Sequence, residues 1–536
     1  MSPEEAEYKI EAISEEVRAG SIRWALTLFF IITALLCGLV WYLLSGEELY
    51  ASYRVEDTLN LIKRFYPEAY HPGKMMSLAR NSVISELDRY SGYLEPEELN
   101  RVQEEFTGSY GGIGIMVVGH SHGLMIMSVR EDGPAGKAGI RTGDVIIRAD
   151  STSMKGINSY QATYLLRGPE GSKVEVVVAR NNLTDTLTFH LVRERLRLVH
   201  VAYAGITQNK SLYIRLLDFE SGTSEDVRAA LDSLYIKNTD TVHGLILDLR
   251  GNPGGLLGEA YQVANLFLEK DRLIVGLKGR SRWHHAAYSS TDKDITDGLP
   301  IAIIIDRGSA SASEILAGAL KYAGRAVLIG DTTFGKGLVQ EFDYFGDGSG
   351  LRLTTARYYF EGEIFLNDPQ AEIKDSAAGI PPDYYIKWIE DEPFPLRLEN
   401  SILLRDYAFA NRDRIVPDTG AVVVSTAYYD DFVAFSRKNG FRFESNLTRV
   451  INSAEENAFL EGCSRETIAS IESILQIARE DDSAQFERYR EYVTRRLYQI
   501  ALEAKYGTGA AYREAILPYR PDIHLAESLF ARAIAR

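Results

Sequence analysis

Cysteine is nearly absent: Cys37 and Cys463 are the two that occur in 536 residues. That excludes a disulfide framework and any thiolate metal site. Histidine is sparse as well. The nine histidines show no H-E-x-x-H or similar metal spacing. His120 with His122, and His284 with His285, read as surface pairs, and His243 as a strand start beside Gly244. Positive charge is in deficit, with 59 Lys and Arg against 75 Asp and Glu. A net charge of −16 without long basic runs argues against nucleic acid as a partner. No glycine-rich stretch has the lysine and spacing of a phosphate loop. No metal, nucleotide or other cofactor is therefore expected. The remainder is ordinary globular composition, 45% hydrophobic and 25% charged. At roughly 100–200 residues per domain the chain has room for three or four.

Long uncharged runs are scarce too, with one exception. Trp24 to Leu44 carries no charge over 21 positions, about 30 Å of helix, which matches a bilayer's hydrocarbon core. Trp24 at one end and Trp41 with Tyr42 at the other suit the interfacial aromatic belt. No A-x-A-like cleavage site follows, and Leu36 before Cys37 does not suit a lipoprotein site. The expectation is an uncleaved single-pass anchor at 24–44. Lys9, Arg18 and Arg23 precede it and Arg54 follows it. That count leaves residues 1–23 in the cytoplasm and the rest outside the inner (cytoplasmic) membrane, periplasmic or otherwise extracytoplasmic.

Beyond the anchor the texture changes three times. Residues 47–107 carry apolar side chains at helical spacing and break at Pro67, Pro72 and Pro96, so a helical region is expected. From 108 to 195 short β-type runs alternate with glycine turns. From 198 to 390 the near-continuous apolar runs TVHGLILDL, LPIAIIID and RAVLIGD alternate with helical stretches, the pattern of a buried parallel sheet with crossovers. Residues 391–536 return to charged amphipathic helix, with no chemistry apparent and a structural or partner-binding role as the default. The fold class is multidomain α/β.

Within 108–195, GPAGKAGIRTGDVIIRAD followed by LRGPEGSKVEVVVAR resembles a PDZ domain. In that resemblance the loop Gly111, Gly112, Ile113, Gly114 and Ile115 is the carboxylate-binding loop. Glycines there let backbone N–H groups point into one nest that holds a chain-terminal carboxylate, while the adjoining strand edge pairs with the peptide. Alone, GGIGI could equally be a tight turn.

The chemistry lies in the α/β part. GSASASEI (308–315) joins the strand LPIAIIID to a helix, so its serines sit at a helix N-terminus near unpaired N–H groups. Any one of Ser309, Ser311 and Ser313 taken alone reads as an N-cap. Lys336, in FGKG, emerges after the next strand, 25 residues from Ser311. Helix plus strand return the chain to the same sheet edge, where active sites of open α/β sheets collect. A lysine among apolar groups loses its proton more readily and can serve a serine nucleophile as base. LDLRGNPGGLL reaches that edge as well. Gly254 and Gly255 leave backbone N–H groups uncrowded, and with the Ala312 N–H they would form an oxyanion hole. The plain reading of GNPGG is a turn that lets strand and helix pack closely.

PDZ module, DLRGNPGG, SASASEI and FGKGLVQ, in that order, resemble the C-terminal processing (tail-specific) serine peptidases, over roughly residues 85–385. LDRYSGYLEPEEL before the PDZ part and GLRLTTARYYF after the lysine belong to the same likeness. The resemblance implies a crotonase/ClpP-like protease core with a Ser/Lys dyad. Nucleophile and base are then Ser311 and Lys336, and Gln340 orients the lysine. EGEIFLNDPQAEIKDSAAGIPPD departs from the family pattern, with only its final PPD familiar, so the cleft rim is expected to differ. Arg167 is a candidate link between an occupied PDZ module and the protease core, or a solvated arginine at a turn.

The expected function is a membrane-anchored serine endopeptidase acting on proteins with free C-termini. Homo-oligomerisation stays open. A non-catalytic PDZ scaffold at the membrane is the alternative. Acyl-CoA chemistry on the same fold is a third reading, and the PDZ module and the Ser/Lys pair argue against it.

Overall fold

The structure, a computed structural model, describes residues 24, 26–40, 54, 57–69, 71–106, 108–180, 185–235, 241–366, 379–417 and 427–534. These fall into two units, Met1–Arg80 and Asn81–Arg536. In the first, residues 26–40 are helical and exposed. Among the described residues no helix is long and apolar enough to cross a membrane. Residues 1–23, 25 and 41–44 of the expected cytoplasmic segment and anchor lie outside the described residues. Helix α1 (Pro72–Ser85) begins on proline, a residue suited to the first helical turn, where its missing N–H breaks no bond.

The second unit opens with a departure from the helical expectation. Gly92–Leu94 is a strand, β1, ahead of α2 (Pro96–Phe106). Its partners are Gly350 to Arg352, far along the chain. Three residues carry too little periodicity to reveal a strand whose pairing is entirely non-local.

The PDZ module follows. β2 (Ser109–Gly112) leads to β3 (Ile115–His120), β4 (Gly123–Val129) and β5 (Val145–Ala149). Then come α3 (Ser159–Leu166), β6 (Lys173–Arg180), β7 (Asp185–Val192) and β8 (Glu194–Arg197). The sheet order is β3-β4-β5-β6-β7, which leaves β3 on an edge, and β2 pairs separately with β8. Asn158 and Gln161 close a reciprocal capping box at the start of α3, fixing that helix's first turn.

The α/β region contributes β9 (Val201–Ile206), β10 (Ser211–Leu216), α4 (Thr223–Leu234), β11 (Gly244–Asp248) and α5 (Leu257–Asn265). β12 (Leu273–Gly279), β13 (Ala286–Ser289), β14 (Ile301–Ile305) and α6 (Ala312–Tyr322) come next. It closes with β15 (Ala326–Gly330), β16 (Leu338–Tyr344), β17 (Gly350–Phe360) and β18 (Tyr384–Tyr385). The three apolar runs are β11, β14 and β15, parallel neighbours in a sheet ordered β9-β10-β11-β14-β15-β18. β11 and β14 are buried along their whole length and β15 everywhere but Val327, as expected of strands covered on both faces. Leu245, Leu247, Ile303, Ile305 and Leu328 face α4, α5 and α6. Ile246, Ala302, Ile304 and Ile329 face the other way.

That second face is covered by the tail. α7 (Pro393–Asn400), α8 (Leu403–Ala410), α9 (Ala427–Lys438), α10 (Asn446–Leu460), α11 (Arg465–Ser483), α12 (Arg490–Tyr506) and α13 (Pro521–Ile534) form it. Ile523, Ala526 and Phe530 of α13 pack on the parallel sheet. Phe530 lies so close to Gly244 that a Cβ there would fall 2.1 Å from its ring, so β11 needs glycine at that point. α7, α8, α9 and α12 build an aromatic core that also takes in Met125 and Val145 of the PDZ sheet. The tail therefore packs against both the parallel sheet and the PDZ sheet.

Removing the Phe530 ring should loosen this attachment. Phe530→Ala is expected to lower stability by about 3–5 kcal/mol, read as a fall in the urea midpoint of the full chain. An unchanged midpoint would show that α13 does not hold the sheet.

Candidate active site

The three serines of SASAS have different fates. Ser309 is fully buried, donating to the Leu249 carbonyl at 2.8 Å and accepting the Asp306 N–H at 3.0 Å. Ser313 is equally buried, with its hydroxyl on the Asn252 carbonyl at 2.9 Å. Both hold the turns at the sheet edge together. Ser311 alone is half-exposed, immediately before α6, with φ 55 and ψ −113. A serine at positive φ carries local strain, the sort that persists where surrounding structure over-determines it.

What fixes it is Glu314, fully buried one turn into α6. Its Oε2 accepts the N–H groups of Ser311 and Lys336, each at 2.8 Å. Its Oε1 accepts the Thr333 hydroxyl at 2.6 Å and the Gly335 N–H at 2.7 Å. One carboxylate thus ties the start of α6 to the loop after β15. Burial pushes its pKa above the usual carboxylate value, against those four bonds. The Tyr358 hydroxyl, also buried, makes a second tie by reaching the Lys336 carbonyl and, at 3.3 Å, the Ser311 carbonyl.

Ser311 and Lys336 are therefore joined through their backbones. No hydrogen bond links Lys336 Nζ to the Ser311 hydroxyl among the described residues. Nζ lies 5.2 Å from the Tyr90 ring centroid. Burial pulls the Lys336 pKa below the ordinary lysine value, and the Arg352 guanidinium pulls the same way while Glu314 opposes. Among the described residues no hydrogen bond joins Gln340 to the lysine. Its Nε2 donates to the Tyr90 carbonyl at 2.7 Å, where Arg352 Nε also donates at 2.9 Å. Any orienting effect on Lys336 passes through Tyr90.

Of the expected oxyanion groups, Gly254 needs correction. Its N–H is spent on Asn252 Oδ1 at 2.9 Å, so it is not a donor here. Its contribution is space. With φ +98, a Cβ at Gly254 would lie 2.8 Å from both Ser311 Cβ and the Ala312 nitrogen. Gly255 and Ala312 have no hydrogen bond from their N–H groups among the described residues.

The PDZ loop is narrower than the sequence suggested. Gly111 and Gly112 are paired in β2 with Arg195 and Glu194 of β8, which removes them from an open nest. The glycine at 111 serves packing, since a Cβ there would meet the Gly168 carbonyl oxygen at 2.1 Å. The turn itself is Ile113 to Ile115. Ile113 anchors it from the PDZ core and Gly114 takes φ +79. Their carbonyls accept the Ala135 and Arg130 N–H groups, both at 2.9 Å, while their own N–H groups have no acceptor among the described residues. Beside them, β3 offers its edge next to α3. Arg167 follows α3 and stacks on the Tyr110 ring at 4.3 Å, beside the loop.

Models of known families match each of these parts. Peptidase family S41 covers residues 210–386, the PDZ domain covers 111–191, and the C-terminal helical domain of a probable PDZ-protease covers 397–530. A carboxy-terminal-processing protease of Bartonella bacilliformis is 35% identical over 307 residues, 57% of this chain and 70% of that one. The chain belongs to the carboxy-terminal processing serine peptidases. The carboxy-terminal processing protease CtpB of Bacillus subtilis is 33% identical, covering 62% of this chain and 68% of the relative. The chain spans between 62% and 70% of the length of the first four curated relatives. The solved photosystem II D1 C-terminal processing protease is 29% identical, covering 61% of this chain and 86% of that one, at a TM-score of 0.38. That superposition is too loose to support any detail.

Within this peptidase, sequence reasoning missed Glu314, Tyr358 and Tyr90. Glu314 had a visible signal, because Ser311-x-x-Glu314 is a capping-box spacing. Tyr358 and Tyr90 lie in stretches tied to the family likeness but carry no local sign of where their side chains go.

Glu314→Gln replaces one acceptor oxygen by a donor that must face an N–H or hydroxyl. The expected cost is about 1–3 kcal/mol of stability and up to about 100-fold in kcat through displacement of Ser311 or Lys336. Steady-state kinetics and denaturation of purified full chain check both, and a variant with full kcat would contradict the clamp.

Proposed function

We propose that the chain is a membrane-anchored serine endopeptidase that recognises protein C-termini through its PDZ domain and cleaves by a Ser/Lys dyad. The observation that carries this reading is the shared Glu314 carboxylate. It brings the half-exposed serine of SASAS and a partly desolvated lysine to the same sheet edge.

The substrate's terminal carboxylate docks on the Ile113 and Gly114 N–H groups, and its last residues add as a strand to the β3 edge. The chain is then presented to Ser311. Neutral Lys336 Nζ, brought within reach of the serine, takes the hydroxyl proton as Oγ attacks the scissile carbonyl. The Gly255 and Ala312 N–H groups receive the developing oxyanion, in the space that Gly254 leaves open. Lys336 returns the proton to the departing amine, then activates the water that clears the acyl-enzyme. Gln340 acts by holding Tyr90, the ring beside Nζ. Arg167 adjoins the carboxylate loop, which supports a part in sensing an occupied PDZ domain. The uncharged run at 24–44 supports a single-pass anchor in the inner membrane, with the N-terminus cytoplasmic and the peptidase outside.

Purified full chain should cleave an unfolded substrate with a free apolar C-terminus. Ser311→Ala and Lys336→Ala should each reduce that cleavage by about a thousandfold or more, and amidating the substrate's C-terminus should raise KM. Activity unchanged in both variants would leave the non-catalytic scaffold as the reading.

A further inference from the structure

Proteolysis as described makes no use of the pair His200 and Asp218. His200 lies in the short link between β8 of the PDZ module and β9 of the protease core. It is fully buried, and its Nδ1 stands 2.6 Å from Asp218 Oδ1. A carboxylate oxygen only accepts, so Nδ1 carries the proton and donates. The backbone is tied at the same place, with the Leu217 N–H on the His200 carbonyl at 2.8 Å. A Ser–His–Asp relay is not what this pair offers. The other ring nitrogen, Nε2, is enclosed and makes no hydrogen bond to Ser311 or to any other described residue. A buried ring nitrogen without a partner costs stability. Packing alone is therefore a poor account of histidine here, and what Nδ1 holds is a better one.

Nδ1 holds the turn that aims the oxyanion loop. Asp218 Oδ1 also accepts the Glu220 N–H at 3.2 Å, which clamps the backbone around Phe219. Phe219 is fully buried. Its N–H donates to the Gly254 carbonyl at 2.9 Å, and its carbonyl accepts the Leu256 N–H at 2.8 Å. Phe219 and Gly255 form a parallel bridge, so close that a Cβ at Gly255 would fall 2.6 Å from the Phe219 oxygen. The peptide joining Gly254 to Gly255 is trans, so its carbonyl and its N–H point in opposite directions. With the carbonyl held on Phe219, the Gly255 N–H is turned away from Phe219. Gly254, the other half of that peptide, lies against Ser311.

We propose that His200 is a positioning residue for the peptidase: through Asp218 and Phe219 it sets the plane of the Gly254–Gly255 peptide and so aims the oxyanion donor. The inference rests on the peptidase reading of Ser311, because the Gly255 N–H has that task only there. Its effect belongs to the transition state, where the oxyanion forms, and not to substrate capture.

The test is steady-state cleavage, by purified full chain, of an unfolded substrate with a free apolar C-terminus. His200→Leu keeps bulk and loses the donor, while Asp218→Ala removes the acceptor. Each should lower kcat about 10- to 100-fold, with KM within about twofold of wild type. The double variant should fall no further than the slower single one, because the two side chains act as a unit. His200→Asn restores a donor, its Nδ2 taking the place of Nδ1, and should recover kcat to within about threefold of wild type. Should His200→Leu fail to fold, Asp218→Ala carries the test, its side chain being partly exposed. Ser311→Ala is measured alongside. If it cleaves as well as wild type, the peptidase reading fails and this inference with it. If Ser311→Ala is inactive while Asp218→Ala keeps the wild-type kcat, or while His200→Asn is as slow as His200→Leu, the inference alone is overturned.

Discussion

The buried carboxylate of Glu314 is the constraint on which the reactive site rests. A carboxylate removed from water needs its acceptor positions filled, and this one fills them from two places in the chain at once. The Ser311 N–H comes from the helix start, while Lys336, Gly335 and Thr333 supply donors from the loop beyond β15. The serine's positive φ follows from that arrangement, because its N–H must turn towards the carboxylate. Tyr358 repeats the tie on the carbonyl side. Side-chain chemistry between Ser311 and Lys336 can then vary while their backbones remain in register.

A second constraint operates at larger scale. The parallel sheet is apolar on both faces, and α4 to α6 cover only one of them. The tail covers the other and, through its aromatic core, also receives the PDZ sheet. Peptide-binding module and protease core are thus referred to one common body. The buried Asp248, paired with Arg215 and Arg250 of the core and Arg520 of the tail, lies on that same joint, close to the turn that ends at Gly254.

Much of this was legible in the chain. The three buried strands announce themselves as apolar runs, and the long tail helices carry their own periodicity. Ser311 and Lys336 could be nominated because helix plus strand return the chain to the same edge. Most of what the sequence could not show was set by distant partners. Gly92–Leu94 is a strand because Gly350–Arg352 is beside it. Gly254 lost its donor role to the neighbouring Asn252 side chain, and Gly111 and Gly112 were drawn out of the ligand loop by β8. Gln340 met Tyr90 instead of the lysine. Apart from that local Asn252–Gly254 turn, the deciding contact depends on geometry that neither composition nor spacing encodes.

The central claim is that Lys336 acts as a neutral base because burial and the Arg352 charge lower its pKa. The most direct test is the pH dependence of kcat/KM for the wild type, Arg352→Gln and Arg352→Lys. A base that must be deprotonated gives activity that rises with pH through its pKa. The account predicts a rising limb below the ordinary lysine range in the wild type. It should shift to higher pH in Arg352→Gln, where a neighbouring positive charge is lost, and return towards the wild-type position in Arg352→Lys. A rising limb at the same pH in all three would contradict it.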